Sequence, residues 1–220
     1  MTNKRPKYKT SGLPEAQGLY DPRNEHDACG VGMVLNIKNH ASYEIVSKGL
    51  AMLCNLEHRG AVGADPKAGD GSGILIQIPH KFLKKKISNI FSLPDIGYYG
   101  VGVIFMPKEK NSQIKIKKLV EQSCQKEGIN ILGWRTCPTQ TEDLGWSVLP
   151  STPDVFQIFL ERPENQKTQD DFERKLYILR RCIEESVVSI SQTIQEGFYI
   201  PSLSSRTILY KGMVLADQVG

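Results

Sequence analysis

Long apolar runs are missing from this 220-residue chain, and so is a strong excess of charge of either sign. No stretch approaches the roughly 18 consecutive apolar residues of a membrane helix. The first 28 residues are polar and carry Pro6, Pro14 and Pro22, so they lack the apolar centre of a secretory signal. Against 28 Lys and Arg stand 24 Asp and Glu, for a formal net charge of +4. The densest basic run, Lys84-Lys85-Lys86, has no interleaved aromatics, so it reads as a solvated helix face and not as a nucleic-acid patch. Cysteine is scarce and odd in number. Cys29, Cys54, Cys124, Cys137 and Cys182 are irregularly spaced, which argues against a disulfide framework and for reduced thiols in the cytoplasm. Internal repeats and low-complexity blocks are absent as well.

What is present suits a globular core: 40% of the residues are hydrophobic and 24% charged, in a chain long enough for one large domain or two small ones. Residues 1–28 show no sustained periodicity. Behind them, Val31, Met33, Val34, Leu35 and Ile37 predict a buried strand from Gly30 to Ile37, and Ser42 is placed to cap a helix whose Ile45, Val46, Gly49, Leu50 and Leu53 share one face. A long glycine-rich loop from Glu57 to Gly73 leads to a strand at Ile74–Ile78. Another strand is expected at Tyr98–Met106, a helix carrying Ile116, Leu119, Val120 and Cys124 up to Gly128, then strands at Ile129–Trp134 and Val155–Leu160. The strongest helical pattern runs from about Gln169 to Gln195. Two strands, Phe198–Leu203 and Thr207–Tyr210, flank a Ser204-Ser205 turn. Cys54, Cys124 and Cys182 fall inside helical apolar patterns, where a buried Cys is a small, inert hydrophobe.

Cys29 has a chemical context. In Glu25-His26-Asp27-Ala28-Cys29-Gly30-Val31-Gly32-Met33 the thiol follows a small residue and precedes an apolar segment, the appearance of a concealed N-terminus. Were the Ala28–Cys29 bond cut, Cys29 would carry a nucleophile and, in its freed α-amine, the base that activates it. Before cleavage that nitrogen is an amide without basicity. Arg59 stands at the mouth of the glycine-rich loop, where a planar guanidinium could orient a substrate or fix the pocket wall; a structural ion pair is the plainer reading. Gly69, Gly71 and Gly73 around Asp70 would let backbone N–H groups approach a ligand, or simply form a turn. Gly69-Asp70-Gly71-Ser72-Gly73 is no phosphate cradle, because it precedes a strand and lacks the following Lys. The pairs His26-x-x-Cys29 and Cys54-x-x-x-His58 offer two His and two Cys to a tetrahedral zinc, which would make the chain a zinc-stabilised binding module. His26, however, lies in the removable leader.

Three long segments carry a resemblance: GLYDPRNEHDACGVGMV from Gly18, LEHRGAVGADPKAGDGSGILIQIPH from Leu56 and SLSSRTILYKGM from Ser202. Their order and spacing resemble the N-terminal class II glutamine amidotransferase domain of glutamate synthase large chains, over nearly the whole chain. That resemblance implies an α+β fold, the four-layer αββα sandwich of N-terminal-nucleophile hydrolases, left incomplete at the C-terminus. It implies a propeptide at 1–28 and the first part of the amidotransferase domain at 29–220. It implies Cys29 as nucleophile, with Arg59 and Gly60 as the Arg-Gly element beside it; Asp70 and Gly71, from the reading of the glycine-rich loop, are expected to line the substrate pocket with them. The implied activity is hydrolysis of L-glutamine through a Cys29 thioester, feeding ammonia to glutamate biosynthesis; another N-terminal-cysteine amide hydrolase is the alternative. No cofactor is expected in this segment and no metal. FMN, an iron–sulfur cluster, the remainder of the chain and an electron donor, ferredoxin or an NAD(P)H-oxidising small subunit, are implied for the whole enzyme. The family's Asn-Gly oxyanion pair and its carboxylate-gripping Arg are expected past Gly220, since Asn-Gly occurs nowhere in these residues.

Overall fold

The computed structural model describes residues 15–19, 21–22, 29–57, 60, 63–190 and 197–220. Its centre is a four-stranded antiparallel sheet of β2 (Tyr99–Met106), β3 (Ile131–Thr136), β4 (Asp154–Glu161) and β5 (Tyr199–Ser204) in the order β3-β4-β2-β5. Helix α3 (Lys110–Lys126) links β2 to β3, and α4 (Gln169–Val188) links β4 to β5, so the chain traces a split β-α-β-β-α-β plait. A second, two-stranded antiparallel ribbon pairs β1 (Ser72–Gln77) with β6 (Thr207–Gly212). Helices α1 (Tyr43–Asn55) and α2 (His80–Ile87) flank β1 in sequence. Among the described residues no helix is long and apolar enough to cross a membrane. Antiparallel sheets with helices gathered beside them make the architecture α+β.

Strand β2 is the most deeply placed element, and its sequence, YGVGVIFM, explains how. Tyr99, Val101 and Val103 point to one face, into a cluster with Ile78, Leu83, Ile87, Leu93, Phe159 and Ile208. Ile104 and Met106 point to the other, with Ile116, Val120 and Cys124 of α3 and Phe172, Leu176, Leu179, Ile183 and Val187 of α4. A strand buried on both faces reads as a continuous apolar run, as this one does. Gly100 lies under α4, where an added Cβ would come 2.8 Å from Leu176 Cδ1; the missing side chain lets the helix sit close to the sheet. Each fully buried Leu or Ile at this interface contributes about 1.5–3 kcal/mol relative to exposure.

Capping explains where α4 begins. The Thr168 hydroxyl accepts from the Asp171 N–H at 3.1 Å, and the Asp171 carboxylate accepts from the Thr168 N–H at 3.1 Å, a reciprocal capping box. Its far end corrects the expected span. The helix stops at Val188, with Ser189 as C-cap and Ile190 in a turn; residues 191–196 lie outside the described set. At the Ser204–Ser205 turn the chain leaves one sheet for the other. Glu173 of α4 pins that turn by accepting from the Ser205 N–H and hydroxyl, both at 2.6 Å.

A second correction concerns residues 30–37. No strand forms there: Val31 is 89% exposed and Ile37 95%, and the segment pairs with no described strand. An apolar run becomes a strand only where another edge accepts its ladder. The cysteine expectations also divide. Cys124 is buried and Cys182 half-buried, whereas Cys54 is exposed, because α1 turns Ile45, Val46, Leu50 and Leu53 inward and Cys54 outward. The lysine run of α2 is solvated, as expected, with Leu83 and Ile87 beneath it.

Two cores place ionisable groups in apolar surroundings. Burial pushes the Tyr99 phenol from 10.0 to about 12, and burial followed by the charge of Glu121 pushes the Cys124 thiol from 9.0 to about 12. Cys137 and Tyr210 are raised too, mainly by burial. The unfolded chain releases these protons at the ordinary values, so the stability they contribute is complete below about pH 9 and is lost as the pH rises toward about 12. Denaturant midpoints measured across that range should fall steadily, and Tyr99→Phe should flatten the limb above pH 10. That variant also loses the 3.0 Å hydrogen bond between Tyr99 Oη and His80 Nδ1, worth about 0.5–1.5 kcal/mol at neutral pH.

Candidate active site

The glycine-rich loop between α1 and β1 lies against the C-terminal residues of the chain. A Cβ on Gly69 would fall 2.5 Å from the Val214 carbonyl oxygen, a backbone atom that cannot move aside, so this position excludes any side chain. Gly71 has φ +127°, in the region that favours glycine, and sits beside Gly212 and Met213. Gly60 donates its N–H to Glu57 O at 2.9 Å and faces Asp70, whose Oδ1 would be 3.6 Å from a Cβ at Gly60. Three of the five expected site residues, Gly60, Asp70 and Gly71, thus stand together on an exposed loop.

Cys29 is a free, exposed thiol at the start of the extended segment. That segment meets α1 at Gly32, where an added Cβ would come 2.4 Å from Met52 Sδ. No hydrogen bond among the described residues ties Cys29 to Gly60, Asp70 or Gly71. Arg59 and His58 lie outside the described residues, as does His26. The zinc quartet is therefore represented only by Cys29 and Cys54, both exposed; among the described residues no group of three or more His, Cys, Asp or Glu is placed to hold a metal.

Sequence reasoning passed over Asp65. It is 5% exposed and accepts from the Ser147 N–H at 2.8 Å, the Ser147 hydroxyl at 2.7 Å and the Lys67 N–H at 3.1 Å. The Ser147 N–H is the main reason its carboxyl is held below the ordinary 3.8; burial opposes, and the Ser147 hydroxyl and Lys67 add to the lowering. The Lys67 contact was legible, because an Asp bonding the backbone two residues on is a common turn. Ser147, 82 positions away, left no local signal.

The whole described stretch from the thiol onward is covered by one family model, glutamine amidotransferases class-II, over residues 29–220. The chain belongs to that family. It is 43% identical over 209 residues to a glutamate synthase [NADPH] large chain of Bacillus subtilis, with 94% of this chain and 13% of that protein covered. Similarity extends to a glutamate synthase [NADH] of Saccharomyces cerevisiae, 38% identical over 94% of this chain and 10% of that protein. A ferredoxin-dependent glutamate synthase 2, chloroplastic, of Arabidopsis thaliana is 37% identical, over 94% of this chain and 13% of that protein. The chain thus spans about an eighth or less of the length of these relatives.

The thiols differ enough in setting to be ranked by chemistry. The thiolate is the reactive form, and a buried thiol with a raised pKa supplies little of it. Under native conditions near pH 8, Cys29 and Cys54 should alkylate first and Cys124 last, with Cys137 also slow. Peptide mass mapping against time reads the order, and unfolding should erase it.

Proposed function

We propose that this chain is the glutamine-hydrolysing portion of a glutamate synthase, with Cys29 as its N-terminal nucleophile once residues 1–28 are removed. The observation that carries the reading is the family match, which starts at Cys29 and runs through the glycine-rich loop that gathers Gly60, Asp70 and Gly71. Class II amidotransferases release ammonia from glutamine, and a nucleophile that carries its own base needs no separate His.

In the reaction the Cys29 sulfur attacks the side-chain amide carbon of L-glutamine while the thiol proton passes to the free α-amine. The tetrahedral intermediate collapses, the C–N bond breaks, and the amine returns the proton to the departing ammonia. A γ-glutamyl thioester remains; water attacks it, and glutamate leaves with the thiol regenerated. Arg59 orients the substrate at the pocket wall, and the loop residues Gly60, Asp70 and Gly71 line it, with backbone N–H groups free to approach because the glycines carry no Cβ. FMN and iron–sulfur chemistry, the ferredoxin or NAD(P)H-linked electron donor and a cytoplasmic setting go with the complete enzyme.

The fold supports a finer assignment. The α3/α4 pair covers one face of the four-stranded sheet and the β1–β6 ribbon, together with α2, covers the other, across two apolar cores. We read them as helix, sheet and sheet of the αββα sandwich, with Leu75, 62% exposed on the ribbon's other face, marking the side of the fourth layer.

In the full-length enzyme, N-terminal sequencing and intact mass should show Cys29 as the first residue, and Cys29→Ser should lower glutamine-dependent glutamate formation by on the order of 10³-fold or more while free ammonia still supports synthesis. An active enzyme retaining Met1–Ala28 would overturn the amine-as-base mechanism. Arg59→Lys, which keeps the charge and loses the planar fork, should weaken glutamine use by about tenfold or more and leave ammonia use near wild type. Wild-type glutamine kinetics in that variant would return Arg59 to a structural role.

A further inference from the structure

Apart from Val62 the glycine-rich loop has only small apolar residues of its own to hold its shape, so polar ties must set it. Two such ties converge on its middle. Asp65, buried and accepting three hydrogen bonds, joins the loop to Ser147. Gly145 beside that serine tolerates no side chain, since an added Cβ would lie 2.4 Å from Asp65 Oδ2. Gln218, in the 3-10 turn Ala216–Gln218, donates to Lys67 O at 3.3 Å and to Asp143 O at 2.7 Å, while its Oε1 accepts from the Leu215 N–H at 2.8 Å. Three distant stretches, 65–69, 143–147 and 214–218, are thereby closed into one junction. Five residues on from Asp65, Asp70 faces Gly60, so a shift of the junction carries directly to the group of residues assigned to the pocket.

We propose that Asp65 is a positioning residue for the glutamine site: its clasp on Ser147, seconded by Gln218, fixes where Gly60, Asp70 and Gly71 stand around the substrate. This rests on the glutamine-hydrolysing function proposed above. Asp65 touches no reacting atom. Its carboxylate fixes the loop backbone from behind, and displacements near 1 Å at such a site cost on the order of 10²-fold in rate.

The test compares glutamine and ammonia as nitrogen sources in the full-length enzyme carrying Asp65→Asn, Ser147→Ala or Ser147→Thr. Asp65→Asn should raise the KM for glutamine roughly tenfold or more with a smaller change in kcat, while ammonia-dependent synthesis stays within about twofold of wild type. Ser147→Ala, which removes only the hydroxyl donor, should shift KM in the same direction, and Ser147→Thr, which restores it, should recover most of the loss. Because Ser147→Ala keeps the backbone donor, it reports even where Asp65→Asn fails to fold. Wild-type glutamine KM in both Asp65→Asn and Ser147→Ala, or equal loss with both nitrogen sources, would overturn the positioning role. A wild-type enzyme unable to use glutamine at all would instead overturn the functional reading beneath it.

Discussion

Burial of β2 on both faces is the constraint on which the remaining structure depends. A strand with no solvated side must find a full layer above and another below. The sequence YGVGVIFM supplies Tyr99, Val101 and Val103 toward the ribbon, and Gly100, Gly102, Ile104 and Met106 toward the helices. The split plait follows, since α3 and α4 are the connections that can cover one face while β4 and β5 pair on either side of β2 and β3 extends the sheet beyond β4. The ribbon follows too, because Ile208 of β6 and Ile78 just past β1 complete the second core. Pairing β1 with β6 brings the glycine-rich loop, which enters β1, against the residues that leave β6.

Polar groups inside this frame are satisfied in ways that join its parts. Gln157 of β4, fully buried, donates to Tyr210 Oη of β6 at 2.8 Å and accepts from Arg135 Nη1 of β3 at 2.6 Å, linking sheet to ribbon through a group that would otherwise be costly to bury. Glu173 ties α4 to the turn where the chain changes sheets. Asp65 and Gln218 do for the candidate site what these do for the layers. A loop poor in apolar side chains takes its shape from hydrogen bonds to elements that the cores have already fixed.

The two corrections share a cause. The apolar run at 30–37 and the helix expected to reach Gln195 were both inferred from local periodicity, which reports what a segment can bury and not whether a surface exists to bury it against. Val31 and Ile37 meet no strand edge among the described residues. α4 ends where its buried stripe ends, at Val187, and Ser189 closes it. Cys54 differs for a related reason: it lies in an apolar helix but on the side that α1 turns outward.

By itself the sequence determined the α+β alternation, all six strands within a few residues and the solvated lysine face of α2, because periods of two and 3.6 are local properties. Only the tertiary structure decided that the last two strands belong to different sheets, that Gly69 must yield to the Val214 carbonyl, and that Asp65 meets Ser147 across 82 residues. Those outcomes depend on which distant surfaces the two cores bring together, and no window of neighbouring residues contains that information.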